Sequence, residues 1–134
     1  LKLLEDMINN GEELPFIYKL YVNNRAKLKD KGLIAWDYCR IVQIAGWSYT
    51  TGYLTIEEAY ELCMDASRVI QKTYSSWEEM AEHYILGYEF WSGQDRNEEF
   101  TEVYYRNKAN QAILKDKNSP FNTLPWDLNL DRGN

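Results

Sequence analysis

The stretch "AWDYCRIVQIAGWSYTTGY", residues 35–53, reads as a helix that is apolar on nearly every side, yet it carries Asp37 and Arg40 one turn apart. On a helical wheel Asp37, Arg40 and Gln43 share one arc, and Trp36 and Trp47 fall inside it. Two chemistries fit. In one, the arc is a polar pocket rimmed by indoles, with Asp37 as acid or base and Arg40 as an anion clamp. In the other, Asp37 and Arg40 form an ion pair at helical spacing that fixes how this helix meets its neighbours. An Arg stem laid along tryptophan suits the second reading, which is favoured. Glu61 and Asp127 are then plausible further members of a network tying the helix to the fourth helix or to the tail "LPWDL". Were such a pair buried, removing one partner would cost roughly 3–5 kcal/mol.

The remaining reactive residues offer less. His83 is the only histidine. Its Glu79-x-x-x-His83 spacing does not match the Glu-x-x-His of di-iron bundles, and zinc would need further ligands. It reads as a surface histidine beside a carboxylate. Cys39 and Cys63 sit among apolar neighbours and read as reduced core thiols. No Gly-x-Ser-x-Gly elbow and no phosphate-cradling glycine loop is present. The paired acids Glu57-Glu58, Glu78-Glu79 and Glu98-Glu99 are read as first-turn residues of helices, favoured there by the helix dipole. The sequence thus points away from an enzyme, and no metal or cofactor is expected. Gly46 and Gly87 lie inside helices, at about 1 kcal/mol each relative to Ala, which suggests close helix crossings.

The elements that must position these residues all carry helical periodicity. A short amphipathic piece covers residues 1–10, and a second helix runs from Leu14 to Asp30. The third is Leu33 to Thr51. Thr55 caps the fourth, with Glu58 completing a capping box, and that helix runs to about Tyr74. Ser75 or Ser76 starts a fifth, ended by Ser92 and Gly93. Asp95 is expected to cap a sixth that reaches Leu114. The tail "SPFNTLPWDLNL" has two prolines and cannot be a long helix, but its large apolar residues should lie extended across the body. The expectation is a single compact all-α domain of five to six helices with an extended C-terminal segment packed on the bundle. Residues 1–32 form an N-terminal helical segment, 33–130 the core and 131–134 an unstructured tail.

The 134 residues suit one domain. Aromatics reach 15 %, with 11 Tyr and 5 Trp, which favours a packed core. No apolar run approaches a membrane span or a signal peptide, so the expected location is cytoplasmic. The net charge of -6 is uneven, because residues 55–102 hold twelve acids and three bases. An acidic middle argues against nucleic acid and suits a basic protein partner, although a solvated acidic face is the simpler reading.

In order along the chain stand "AWDYCR", Trp47, "GYLTIEEAY", "SSWEEM", "GYEFW" and "SPFNTLPWDL". That succession resembles the bacterial domain-of-unknown-function family DUF1266, from about Leu33 to Leu130. Family positions carried onto this chain are Trp36, Asp37, Arg40, Trp47, Gly52, Tyr53, Glu58, Ala59, Trp77, Gly87, Trp91, Pro125 and Trp126. Family members often carry a basic residue after the helix glycine, where this chain has Tyr88. The resemblance implies a mostly helical, bacterial, intracellular protein and brings no activity, substrate or cofactor. Three functions are carried forward: a protein-interaction module with an acidic surface, in its most specific form an immunity-type inhibitor of a basic toxin; a small-molecule binder or enzyme around Asp37 and Arg40; and a structural subunit of a homo-oligomer. The candidate binding residues are Trp36, Asp37, Arg40, Trp47, Tyr53, Glu61, Trp91, Trp126 and Asp127.

Overall fold

In the computed structural model, which describes residues 2–11 and 14–131, the chain forms six helices and one short helical turn. They are α1 Lys2–Asn9, α2 Phe16–Lys31, α3 Ile34–Thr50, α4 Ile56–Thr73, α5 Trp77–Ser92, α6 Glu102–Lys115 and the single turn α7 Pro120–Thr123. No strand occurs among the described residues. The all-α expectation is met, and beyond α7 the C-terminal segment crosses the helical body without helix. The tail expected at 131–134 lies, apart from Asp131, outside the described residues.

The helix starts follow local chemistry. Thr55 Oγ1 accepts from the Glu58 N–H at 3.2 Å, while the Glu58 carboxylate accepts from the Thr55 N–H at 2.8 Å. Ser76 Oγ accepts from the Glu79 N–H at 3.1 Å, and Gly93, at φ 70°, closes α5 in the left-handed conformation. The start of α6 differs from expectation. Asp95 turns its carboxylate onto Asn97, whose backbone N–H and side-chain amide both donate to it, at 2.8 and 2.9 Å. That local turn competes with capping. The helix begins only at Glu102, capped by Thr101, whose hydroxyl accepts from the Tyr104 N–H. No side chain caps α3 from its own N-cap residue, Leu33. Its orphan Ala35 N–H donates instead to the hydroxyl of buried Tyr74, at 2.9 Å.

The core is organised around α5. Ile85 and Leu86 are fully buried, and Met80, Ala81, His83, Gly87, Tyr88 and Glu89 are buried with them. Against this helix pack α3 and α6. Gly87 sits where α3 presses closest: a Cβ built there would lie 2.3 Å from Trp36 Cβ and 3.6 Å from Trp36 Cα. The close-crossing expectation therefore holds at Gly87. It fails at Gly46, around which a Cβ would meet nothing within 4 Å.

His83 is not the expected surface histidine. It is 4 % exposed, with its ring 5.0 Å from that of Tyr74. The backbone of Gly32, at the end of α2, hydrogen-bonds it, and two lysines of α2 reach the acids on either side. Lys31 pairs with Glu79 and Lys27 Nζ lies 2.9 Å from Glu82 Oε1, so two acids of α5 meet this chain's own lysines.

Two substitutions separate the glycines. Gly87→Ala forces α3 from α5 and is expected to destabilise by roughly 1–3 kcal/mol. Gly46→Ala is expected to stabilise by about 1 kcal/mol, since it adds helix propensity without a clash. Thermal unfolding of both variants against the wild type measures the difference.

Candidate functional site

The residues proposed from sequence do not form one site. Trp36, Arg40 and Trp91 come together. The Arg40 guanidinium lies over both indoles, 5.2 Å from the centre of Trp36 and 5.5 Å from that of Trp91. Trp36 is buried and stacks on Tyr88 at 4.8 Å and an interplanar angle of 16°, with Tyr84 tilted against it at 5.3 Å. The expected Asp37–Arg40 ion pair is absent: Asp37 is exposed and makes no ion pair among the described residues. The cause is competition within the helix. Guanidinium is weakly hydrated and gains more from two indole faces than from an exposed carboxylate one turn away. Arg40 and the tyrosines cover the Trp36 indole, while Trp91 stays 63 % exposed at the edge of the cluster.

The other proposed residues lie apart from it. Trp47 is 61 % exposed and Tyr53 85 % exposed, near the turn joining α3 and α4. Glu61 is exposed on α4 and Asp127 is exposed on the tail. Trp126 belongs to a second aromatic group, edge-on to Trp77 at 5.0 Å, while Trp77 stacks on Phe121 at 4.8 Å. This group anchors the tail. The Trp77 indole donates to the Leu124 carbonyl, the Trp126 indole donates to the Tyr74 carbonyl, and the Gln71 amide donates to the carbonyls of Trp126 and Leu128.

Sequence reasoning missed a buried ionic centre. Glu89 is 2 % exposed, and its carboxylate accepts from the Arg96 backbone N–H at 3.0 Å, from Nε at 2.9 Å and from Nη2 at 2.6 Å. Arg96 Nη1 reaches Glu82 Oε2 at 2.7 Å, which joins Lys27 to the same chain. The legible signal was Glu89 as the one acid within "YILGYEFW" on α5. The centre fixes the irregular segment between α5 and α6, and every acceptor in it faces a protein donor, so its chemistry is structural.

The titratable groups point the same way. Burial pushes the Cys39 thiol up to about 11, and the thiol lies 3.8 Å from Met80 Sδ, so it stays protonated and is no nucleophile. Burial lowers His83 below its ordinary value of 6.5, opposed by the negative charge of Glu79. The Lys31 ammonium and the Ser75 N–H and hydroxyl hold the Glu79 carboxyl down at about 2. Among the described residues no group of three or more His, Cys, Asp or Glu could hold a metal ion.

The part of the molecule least explained by packing is the outer half of the α3–α4 hairpin. Between residues 42 and 62 only Ala45 and Ala59 are buried. Ile44, Trp47, Tyr49, Tyr53 and Ile56 are each at least 47 % exposed. The buried residues of this stretch are small, and most of its large apolar side chains stand in solvent. From residue 41 to residue 67 the chain has no Lys or Arg, and the acids are Glu57, Glu58, Glu61 and Asp65.

The chain belongs to the family described as "Protein of unknown function (DUF1266)", whose family model matches residues 4–126. That span takes in α2 and most of α1, which the motifs read from the sequence did not reach. No curated protein matches the chain, and no solved structure matches it. Among the described residues no helix is long and apolar enough to cross a membrane.

Two measurements check this arrangement. Glu89→Gln is expected to cost roughly 3–5 kcal/mol of stability by leaving Arg96 under-paired in a buried place, whereas Asp37→Asn should change it by less than about 0.5 kcal/mol. The pH dependence follows from the signs. His83 binds its proton more weakly folded than unfolded, so stability declines as pH falls through 6.5. The Glu79 carboxyl is depressed, so its contribution is present above its ordinary 4.5 and lost as pH falls toward about 2. Urea midpoints across pH should show both declines in the wild type, and only the lower one in His83→Phe.

Proposed function

We propose that this member of the DUF1266 family is a non-enzymatic protein-interaction module that offers the outer α3–α4 hairpin to a partner with a basic surface. The observation that carries the reading is the exposure of Ile44, Trp47, Tyr49, Tyr53 and Ile56 on an arm where only two alanines are buried. Aromatic side chains bring large contact area at low entropic cost, and an exposed cluster of them is a frequent mark of an interface. The glutamates beside them favour a positively charged partner, which they would steer and orient, while Asp65 at the edge of the stretch is paired with Arg68 at 2.9 Å. The acidity is narrower than the sequence total implies, because Glu79, Glu82 and Glu89 are paired inside the molecule. In its more specific form the module is an immunity-type inhibitor of a basic toxin, working in the bacterial cytoplasm, where the two unpaired cysteines are at home.

The alternative of a ligand at Asp37 and Arg40 is disfavoured, since Arg40 and the neighbouring tyrosines cover the Trp36 indole that such a ligand would need.

A photoreactive benzoylphenylalanine in place of Tyr53, introduced into the full chain in its own cells, tests the proposal. The expected result is a covalent adduct with a different, basic protein, falling in yield as salt rises and lost when Trp47→Glu is added. Adducts only between copies of this chain would favour the homo-oligomer instead, and a lack of any adduct would refute an interface at this arm.

A further inference from the structure

A cavity of about 400 Å³ lies between the helical body and the C-terminal segment. Its inner wall is Met80, 7 % exposed, with Cys39 and Ile70 beside it. Trp77 and Trp126 form its aromatic side. Its mouth is aliphatic: Val42, Leu124 and Leu128 are 41 %, 44 % and 44 % exposed.

Among the described residues no charged side chain lines this space. The few polar groups are already engaged. The Ser67 hydroxyl donates to the Cys63 carbonyl at 2.8 Å, and the Gln71 amide holds the carbonyls of Trp126 and Leu128. The Cys39 thiol is protonated and turned toward Met80. A polar or charged group entering here would lose its water without finding a partner. An apolar one would lose nothing and bury its surface.

Size narrows the occupant further. A helix with its side chains is about 10–12 Å across with a pitch of 5.4 Å, so one turn alone exceeds the cavity. The volume falls at the small end of the range for small-molecule sites, about 300–1,000 Å³. The grading from a buried inner wall to an exposed aliphatic mouth suits a molecule with one apolar tail and a polar end left in water.

We propose that this cavity binds the aliphatic tail of a free single-chain amphiphile, of the fatty-alcohol class, with the polar end at the mouth formed by Val42, Leu124 and Leu128. The walls that would grip the tail are fixed from opposite sides. Met80 and Trp77 belong to α5, and Trp126 is held by its hydrogen bond to the Tyr74 carbonyl at 3.0 Å. The cavity meets the α3–α4 arm only at Val42, and none of Ile44, Trp47, Tyr49, Tyr53 or Ile56 lines it, so it stands or falls independently of the interaction reading.

The test is a titration of the full chain with 10-bromodecan-1-ol, read by tryptophan fluorescence, because bromine quenches an indole it touches. Saturable quenching at one molecule per chain, reversed by unbrominated decan-1-ol, is expected. Each methylene buried should strengthen binding about fourfold, so 8-bromooctan-1-ol, two methylenes shorter, should bind about fifteenfold more weakly. Val42→Arg and Leu128→Arg each place a charge at the exposed mouth, where folding tolerates it, and each should weaken binding at least tenfold. Quenching that rises linearly without saturation in the wild type, or an affinity unchanged in a variant whose circular dichroism matches the wild type, would overturn the proposal.

Discussion

A hydrogen atom at Gly87, where any other residue has a carbon, sets how close α3 comes to α5. Trp36 Cβ occupies the space that a side chain would need. With the backbones this near, the Trp36 indole lies flat on Tyr88 and tilts against Tyr84 and Trp91. The same approach brings Arg40, one turn along α3, over two indole faces at once. A charged residue in the middle of an apolar helix is thereby accommodated without a carboxylate partner. The rest of the body follows from α5. Its buried face receives α3 and α6, its acids receive the lysines of α2, and Glu89 fixes the segment leading to α6.

What could be read from the sequence was local. Thr55 with Glu58, and Ser75 or Ser76 ahead of the paired glutamates, announced two helix starts, because a cap is a contact between residues three apart, and the structure has Ser76 with Glu79. Gly93 marked an end for the same kind of reason. Asp95 misled because its carboxylate had an equally local alternative, the turn onto Asn97. The tail's prolines and large apolar residues were enough to foresee a segment laid across the body, which Trp77, Gln71 and Trp126 hold in place.

What could not be read depended on elements distant in the chain. Asp37 and Arg40 share a face at helical spacing, but spacing says nothing of the Trp91 indole supplied by another helix. His83 stands among glutamates and so resembles a surface residue, until the Gly32 backbone meets it and Lys27 and Lys31 engage the acids on either side. Glu89 was one acid among twelve in its region, and only the fold distinguishes an acid bound to a buried Arg from one in water. Of the candidate residues, Trp36, Arg40 and Trp91 form one cluster, while Trp47 and Tyr53 mark a different surface. Their residue types drew notice, but their separation is a property of the tertiary structure.

The molecule is thus divided between a body centred on α5 and an arm that buries only Ala45 and Ala59 between residues 42 and 62. Hydrogen–deuterium exchange of the full chain, alone in solution, tests that division most directly. The account predicts that amides around Ile85–Glu89 exchange only by global unfolding, while those around Gly46–Glu58 exchange far faster through local opening, for want of buried apolar contacts. Equal protection in the two regions would contradict it, and would make the arm part of the core rather than a surface held out from it.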